Sequence, residues 1–364
     1  MIAIVTQCFK PDHGGIETLM TGLADAINAS GKSVLVFADR ARADDVFARP
    51  YEIRRFGQPR PLRRWHKRRA IARAAREAEI DVIFADSWKS VEAIPPDATP
   101  VAVLAHGMEL PPHASRRKAR RIAAAFARAR VVIANSSYTA DLARKFVAGV
   151  SPRIIVIPPP IAAQSQPTDA ALAAIDARTA GGGPILATLA RLEPRKGVDA
   201  IIRALPALRR EWPDAVYLVA GEGVDQARLR GLAASLGVND AAHFLGRVNE
   251  AEKAALLARA DLFVMPTRRE GDSVEGYGIA YIEAAWRGKP ALAGRDGGAA
   301  DAVIDGETGL LCDGANDADV LAALRRLLRD DALRRRLGAA AEIRARSKLV
   351  WSVALPQYLA AIKD

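Results

Sequence analysis

The sequence predicts an α/β protein of two consecutive domains, each a parallel sheet built from βαβ units. Three observations predict it. Short β-branched runs alternate with longer Ala/Leu/Arg-rich stretches along nearly the whole chain. The alternation stops at Pro158-Pro159-Pro160 and restarts after Gly181-Gly182-Gly183. The 364 residues, half of them hydrophobic, are too many for one ordinary domain and suit two.

In the first half the predicted strands are 2–6, 33–37, 82–84, 101–104, 131–134 and 154–157. Stretches of helical length and period separate most of them, such as 16–30 and 116–128. Strands separated by helices imply right-handed crossovers and a parallel sheet. Three prolines in a row remove three backbone donors, so neither helix nor sheet interior continues there. The polar, Ala-rich stretch up to Gly183 reads as a linker plus a loosely specified segment. Strands at 185–189, 216–220, 243–245, 262–265, 291–293 and 309–312 follow. The last segment, 349–362, reads as a helix anchored by Trp351 and Tyr358, with Pro356 expected to kink it or start a new turn. The expected boundaries are 1–160, 161–345 and 346–364. Ligands in such sheets bind outside the carboxyl ends of the strands, here in a cleft between two facing domains.

Charged residues make up 26% of the chain and mean hydropathy is near zero, the profile of a globular protein. No apolar run reaches the roughly 20 residues of a membrane span. The start, Met1-Ile2-Ala3-Ile4-Val5, enters a strand without a basic leader, so no signal peptide is expected. Cys8 and Cys312 are far apart in apolar contexts, which suggests neither a disulfide framework nor a zinc site. A cytoplasmic location is the expectation. The net charge of +11 is unevenly placed. Residues 1–160 hold 26 Lys/Arg against 15 Asp/Glu, whereas the remainder balances at 27 of each. Two acid-free runs concentrate the excess, one from Arg54 to Arg76 and one from Arg116 to Arg130. They fit an anionic membrane surface or nucleic acid, and equally a solvated Arg-rich helix face.

Four constellations can carry chemistry. The first is Glu275-Gly276-Tyr277-Gly278-Ile279, with Glu283 further along, after the strand at 262–265. Its glycines let the chain turn tightly into a helix whose first amides suit a diphosphate. Glu275 and Glu283 can each accept hydrogen bonds from vicinal hydroxyls, so the pair can hold a ribose and a hexose. The second is Arg191…Lys196-Gly197 after the strand at 185–189, two cations able to neutralise a leaving diphosphate. An ordinary basic loop would carry the same letters. The third is Gly14-Gly15 after the first strand, where a backbone can approach a ligand closely. The fourth is His106 at the end of the strand at 101–104. No P-loop and no metal-ligand cluster is present. Asp317-Ala-Asp319 reads as a helix start, with its acids favoured by the dipole.

Together with Ala220-Gly221-Glu222-Gly223, Phe244-Leu245-Gly246-Arg247-Val248 and Gly306-Glu307-Thr308-Gly309, these stretches resemble glycosyltransferase family 4. The resemblance covers nearly the whole chain and is strongest from Ile185 to Asp313. Within the family, the Glu275–Ile279 region and Gly297-Gly298-Ala299…Asp301 look most like the phosphatidylinositol-mannoside mannosyltransferases and related polysaccharide transferases. The resemblance implies the GT-B fold, two Rossmann-like domains with a last helix crossing back to the first. It implies a retaining hexosyltransferase that needs no metal and no cofactor beyond a nucleotide-sugar co-substrate, GDP- or UDP-linked, with GDP-mannose favoured.

The resemblance also implies roles. Arg191 and Lys196 would bind the donor diphosphate, Glu275 the donor sugar and Glu283 the ribose. Gly278 and Ile279 would offer amides, with Gly276 and Tyr277 in the same turn. Arg247 and Val248 would border the base, near Gly221. Gly14 and Gly15 would approach the diphosphate, and His106 would contact the sugar near its reacting carbon. The acceptor would be lipid-linked or a glycan, bound mainly to the N-terminal domain. The protein would then sit peripherally on the inner membrane face, through the basic runs. A GT-B sugar-nucleotide epimerase is the alternative enzyme. A nucleic-acid-binding protein rests only on the basic runs, and no nucleic-acid partner is expected.

Overall fold

The structure is a computed structural model describing residues 1–41, 47–96, 99–147, 149, 152–179 and 181–363. It divides into two compact units, Met1–Ala162 with Val350–Asp364, and Ala163–Leu349.

In unit 1 the order is β1 (Ile2–Thr6), α1 (Gly15–Ala29), β2 (Val34–Asp39), β3 (Glu52–Phe56), α2 (Arg60–Glu77), β4 (Val82–Ala85) and α3 (Trp88–Val91). Then come β5 (Val101–Ala105), α4 (Arg116–Phe126), β6 (Val131–Ala134), α5 (Ser137–Arg144) and β7 (Arg153–Val156). All strand pairs are parallel, in the order β3-β2-β1-β4-β5-β6-β7. Central strands such as β1 and β5 are buried on both faces, which is why they read as unbroken apolar runs. One layer packs Phe37, Ile71, Trp88 and Phe126 on the sheet, and the other packs Leu23, Phe84 and Tyr358.

Unit 2 begins with α6 (Asp169–Asp176), β8 (Ile185–Leu189), α7 (Val198–Arg209), β9 (Val216–Ala220), α8 (Gln226–Ser235), β10 (Ala242–Gly246) and α9 (Glu250–Arg259). It continues through β11 (Leu262–Met265), α10 (Ile279–Ala285), β12 (Ala291–Gly294), α11 (Ala299–Ala302), β13 (Gly309–Cys312), α12 (Asp317–Arg329) and α13 (Asp331–Lys348). Its sheet is parallel in the order β10-β9-β8-β11-β12-β13, the doubly wound arrangement of a dinucleotide-binding fold. The strand order reverses between β8 and β11 here, and between β1 and β4 in unit 1.

Two expectations need correction. Part of the segment before Gly181 is a formed helix rather than loosely specified chain, because α6 packs Ala171 and Ile175 against Leu218 and Leu256 of unit 2. The run from Arg54 is not all helix surface, because Arg54 and Arg55 lie on β3, an edge strand paired only with β2. The last helix, α14 (Trp351–Lys363), runs through Pro356. It belongs to unit 1, where a Cβ on Gly22 of α1 would lie 2.3 Å from the Trp351 indole nitrogen. Close helix packing at that glycine holds α14 against α1. Asp317 and Asp319 do open a helix, capped by the Asn316 side chain. Both cysteines are free. Among the described residues, no helix is long and apolar enough to cross a membrane.

Candidate functional site

The strand reversal in unit 2 gathers two loops, the one after β8 and the one after β11. They touch backbone to backbone. Gly197 has φ 71°, and a Cβ there would lie 2.1 Å from the Pro266 carbonyl oxygen. A 3-10 turn, Pro194–Lys196, precedes it and turns Arg195 and Lys196 toward the second loop. Lys196 Nζ donates to the Glu275 carboxylate, and Arg195 Nη1 donates to the same oxygen at 2.7 Å. Arg195 also meets Glu193 at 2.8 Å. Burial alone would raise the Glu275 pKa, but Lys196 first and Arg195 second overcome it and bring it down to about 2. Glu275 is therefore a buried, fixed anion between two cations.

Arg191 stands apart from this cluster. Its side chain is 69% exposed and its closest acid is Glu193, at 3.7 Å. Arg195, which the sequence reading passed over, fills the position beside Glu275. The Glu-Pro pair before it was the available signal, since proline favours the first position of a short helical turn.

Beyond Glu275 the chain enters α10 through Gly276, Tyr277 and Gly278. Gly278 caps the helix with φ 89° and has no side chain to accept from the first amides. Ile279 is the first helical residue, so its amide belongs to a helix start that is open to an anion. The Tyr277 ring is buried inside unit 2, and burial pushes its phenol up to about 12. Only its backbone faces the turn. Glu283 lies on α10, where Lys253 of α9 donates to it at 2.6 Å. Lys253 also meets Glu250 at 2.8 Å. Burial lowers the Lys253 pKa, and Glu283 with Glu250 more than restores it. Lys253 is a second residue the sequence reading missed, because its partner lies 30 positions away.

At the next loops, Gly221 has φ 121°, and a Cβ would stand 1.9 Å from the Ala190 carbonyl oxygen. Its amide donates to Gly246 at 2.7 Å. This ties the ends of β8, β9 and β10 together and sets Arg247 at the surface, with Val248 half-buried on the apolar cluster behind it.

In unit 1 the reversal lies between β1 and β4. Asp86, at the end of β4, is buried and accepts four hydrogen bonds. They come from Thr6 Oγ1 (2.8 Å), the Gln7 amide (2.7 Å), Ser87 Oγ (3.1 Å) and Ser90 Oγ (2.6 Å). His106 Nε2 lies 2.8 Å from the Asp86 carbonyl oxygen. A carbonyl only accepts, so Nε2 carries a proton in this contact. Gly14 precedes α1 and Gly15 begins it, with no side-chain cap, and the Glu17 carboxylate lies over Gly14, where a Cβ would be 2.2 Å from its Oε2. Asp86 went unnoticed in the sequence because its partners come from three separate segments.

Two family descriptions divide the chain. "Glycosyltransferase Family 4" matches residues 13–165, and "Glycosyl transferases group 1" matches residues 175–344. A Corynebacterium glutamicum relative is named a GDP-mannose-dependent monoacylated alpha-(1-6)-phosphatidylinositol monomannoside mannosyltransferase. It is 32% identical over 374 residues, spanning 96% of this chain and 94% of that one. The chain belongs to glycosyltransferase family 4. A Mycobacterium tuberculosis GDP-mannose-dependent alpha-(1-6)-phosphatidylinositol monomannoside mannosyltransferase is 32% identical to this transferase, over 90% of its chain and 89% of the relative. A Mycolicibacterium smegmatis protein of that same name is 43% identical over 152 residues, 41% of this transferase and 40% of the relative. Among solved structures, sucrose-phosphate synthase from Thermosynechococcus elongatus shares the fold with TM-score 0.80. It is 21% identical and covers 100% of this chain and 98% of its own. Anabaena HepE in complex with UDP and glucose does so with TM-score 0.78 and 19% identity, over 100% of both chains. The transferase is thus a GT-B hexosyltransferase, and the epimerase alternative is set aside.

Proposed function

We propose that this transferase moves mannose from GDP-mannose, with retention at the anomeric carbon and without a metal ion, to a lipid-linked acceptor with an anionic headgroup. The observation that carries the reading is the Lys196–Glu275–Arg195 cluster beside the open start of α10. Glycosyl transfer passes through an oxocarbenium-like state while negative charge grows on the departing diphosphate. Lys196 and the Gly278–Ile279 amides stabilise that charge more in the transition state than in the ground state. Glu275, kept ionised by its two cations, accepts hydrogen bonds from sugar hydroxyls, and Glu283 does the same for the ribose. Arg191, being exposed and loosely paired, closes on the diphosphate only when a donor is present. His106 contacts the donor sugar near its reacting carbon. No carboxylate acts as a covalent nucleophile. The acceptor hydroxyl attacks from the face the diphosphate leaves, and the leaving phosphate takes its proton.

The membrane belongs to this reading. On α2, Leu62 and Trp65 are half exposed, and the Arg69 guanidinium stacks 4.6 Å from the Trp65 ring. Apolar side chains among cations on one helix face suit the headgroup layer of an anionic membrane.

The test is the melting temperature with GDP, UDP, ADP and their sugar conjugates, with and without magnesium. A ligand at about 100 times its Kd stabilises the fold by about 2.7 kcal/mol. A shift with GDP and GDP-mannose alone, unchanged by chelator, is expected. A shift confined to uridine nucleotides would replace the donor, and a shift requiring magnesium would overturn the metal-free mechanism. The anomeric configuration of the product, followed by NMR from the start of turnover, tests retention.

A further inference from the structure

A cavity of about 680 Å³ lies wholly within unit 1, between α2, α3 and α4. This is ample room for a sugar or polyol with its phosphates. Its walls are unusually cationic. From α2 come Arg60, Arg63, Arg64 and Lys67, from α4 Arg117, Lys118 and Arg121, and from α3 Lys89. Two carboxylates face them. Asp39 is shared by Lys67 at 2.6 Å and Arg63 at 3.3 Å. Glu92 is shared by Arg64 at 2.8 Å and Arg121, which grips it with two guanidinium nitrogens at 2.8 and 2.9 Å. Each acid therefore holds two cations in place and neutralises one. Arg60 and Arg117 have no carboxylate partner among the described residues.

The balance matters. Asp39, Glu92 and the buried Asp86, whose carboxylate also acts on Lys67, do not match the cations of these walls, and the positive excess is relieved when an anion enters. A single phosphodiester, with one negative charge, answers little of that excess. Gln7, Ser90 and Ser115 add neutral hydrogen-bonding groups to the same walls. Arg63, Arg64 and Arg121 are held by their acids, so their remaining N–H groups are already oriented, the arrangement that favours forked binding to phosphate.

We propose that this cavity takes an acceptor headgroup bearing at least two phosphoryl charges, a sugar diphosphate or a polyphosphorylated polyol, in preference to a single phosphodiester. The inference rests on the reading that the acceptor is anionic and binds unit 1. It goes beyond the phosphatidylinositol monomannoside mannosyltransferases to which the chain is similar, whose named acceptor carries one phosphodiester. The shared chemistry is the multiply charged phosphate, borne by a lipid or free in solution.

The experiment uses the full chain with GDP held at saturation, so that the donor site is occupied. Calorimetric titration compares inorganic pyrophosphate with glycerophosphoinositol, a monoanionic diester. Sedimentation compares neutral phosphatidylcholine vesicles with and without a polyprenyl diphosphate. Both arms are run on the wild type and on the double variant Arg60→Ala/Arg117→Ala, whose changes lie on exposed helix positions. Pyrophosphate is expected to bind about tenfold or more tightly than the diester. The double variant is expected to lose about tenfold in the pyrophosphate arm, or its capture by diphosphate vesicles, while its melting temperature is unchanged. A response in the vesicle arm alone assigns the lipid-borne source, and one in the pyrophosphate arm alone assigns the soluble source. Equal affinity for diester and pyrophosphate, or anion binding that the double variant leaves intact in both arms, would overturn the proposal. Failure of GDP to shift the melting temperature would strike the donor reading instead and leave the wild-type-to-variant comparison standing.

Discussion

Lys253 on α9 and Glu283 on α10 meet at 2.6 Å, with both side chains only 13% exposed. The pair joins two helices of unit 2, and it leaves the second carboxylate oxygen of Glu283 without a cation among the described residues. That oxygen can accept hydrogen bonds from two ribose hydroxyls while Lys253 fixes the rotamer. We expect Glu283→Gln to weaken GDP binding about 10- to 100-fold, the range for losing charge-assisted hydrogen bonds. Donor KM should rise with kcat nearly unchanged, because the ribose does not react. Titration of GDP checks the first, and steady-state kinetics the second. A fall in kcat at unchanged KM would remove Glu283 from ribose binding.

Lys196→Ala should lower turnover about 10²- to 10³-fold, because Lys196 faces charge that develops only in the transition state. Arg195 stays on Glu275 at 2.7 Å in that variant, so the carboxylate keeps a cation and the fold should survive. Circular dichroism and single-turnover rates separate the two outcomes. Near-normal turnover in a folded variant would remove Lys196 from the mechanism.

Glu275 links the same cluster to pH. Its folded-state pKa, about 2, lies below its ordinary value of 4.5. Between those values the unfolded chain binds the proton that the folded one refuses. The contribution to stability is therefore present above about pH 4.5 and is lost as pH falls toward about 2. Urea unfolding at about pH 6 and about pH 3 should show a smaller pH-dependent loss for Glu275→Gln than for the wild type. Equal losses would mean that Glu275 is not ionised by its neighbours.

Most strands of both sheets were legible, because parallel strands buried on both faces are short apolar runs. β8, β9, β11 and β13 fall on the bounds read from the sequence. β3 was not legible. Its Glu52, Arg54 and Arg55 sit on an edge, where a strand needs no apolar partner on one side. α6 was hidden by the polar stretch around it. At the site, the turn of Glu275 to Ile279 is local and was readable, as was the loop holding Lys196. Which arginine of that loop turns inward depends on the 3-10 turn at Pro194, for which the Glu193-Pro194 pair is the local signal. Lys253 with Glu283, and Asp86 with Thr6, are pairs made by the topology, 30 and 80 positions apart.

Gly278→Ala should damage both fold and donor binding. The position has φ 89°, and the new Cβ would lie 2.6 Å from the Tyr281 ring. That ring cannot yield easily. It packs edge-on to Phe263 at 5.6 Å, and its hydroxyl donates to the Met265 carbonyl. A left-handed alanine with a fixed neighbour costs about 1–3 kcal/mol, a fall of several degrees in Tm. Gly231→Ala is the contrasting change. It lies inside α8, where an added Cβ meets nothing within 4 Å, so a small gain in stability is expected. Thermal melts of both variants check the pair. Equal effects would mean that the α10 turn is not strained by a side chain.

The exposed face of α2 sets the last test. Trp65 is 50% and Leu62 54% exposed, one turn apart, amid Arg68, Arg69 and Arg73. None of these five side chains belongs to the apolar cores of unit 1, so replacing the two apolar ones should leave the melting temperature within about a degree. Leu62→Ala/Trp65→Ala should nevertheless lose most capture by acidic vesicles, since each apolar side chain entering the interface adds about 1.5–3 kcal/mol when fully buried. Raising salt should release the wild type as well, because the arginines act through screened charge. Co-sedimentation with phosphatidylserine and phosphatidylcholine vesicles at low and high ionic strength measures both terms. Capture by neutral vesicles equal to that by acidic ones would exclude the charge term. Capture unchanged in the double variant would exclude α2 as the face that meets the membrane.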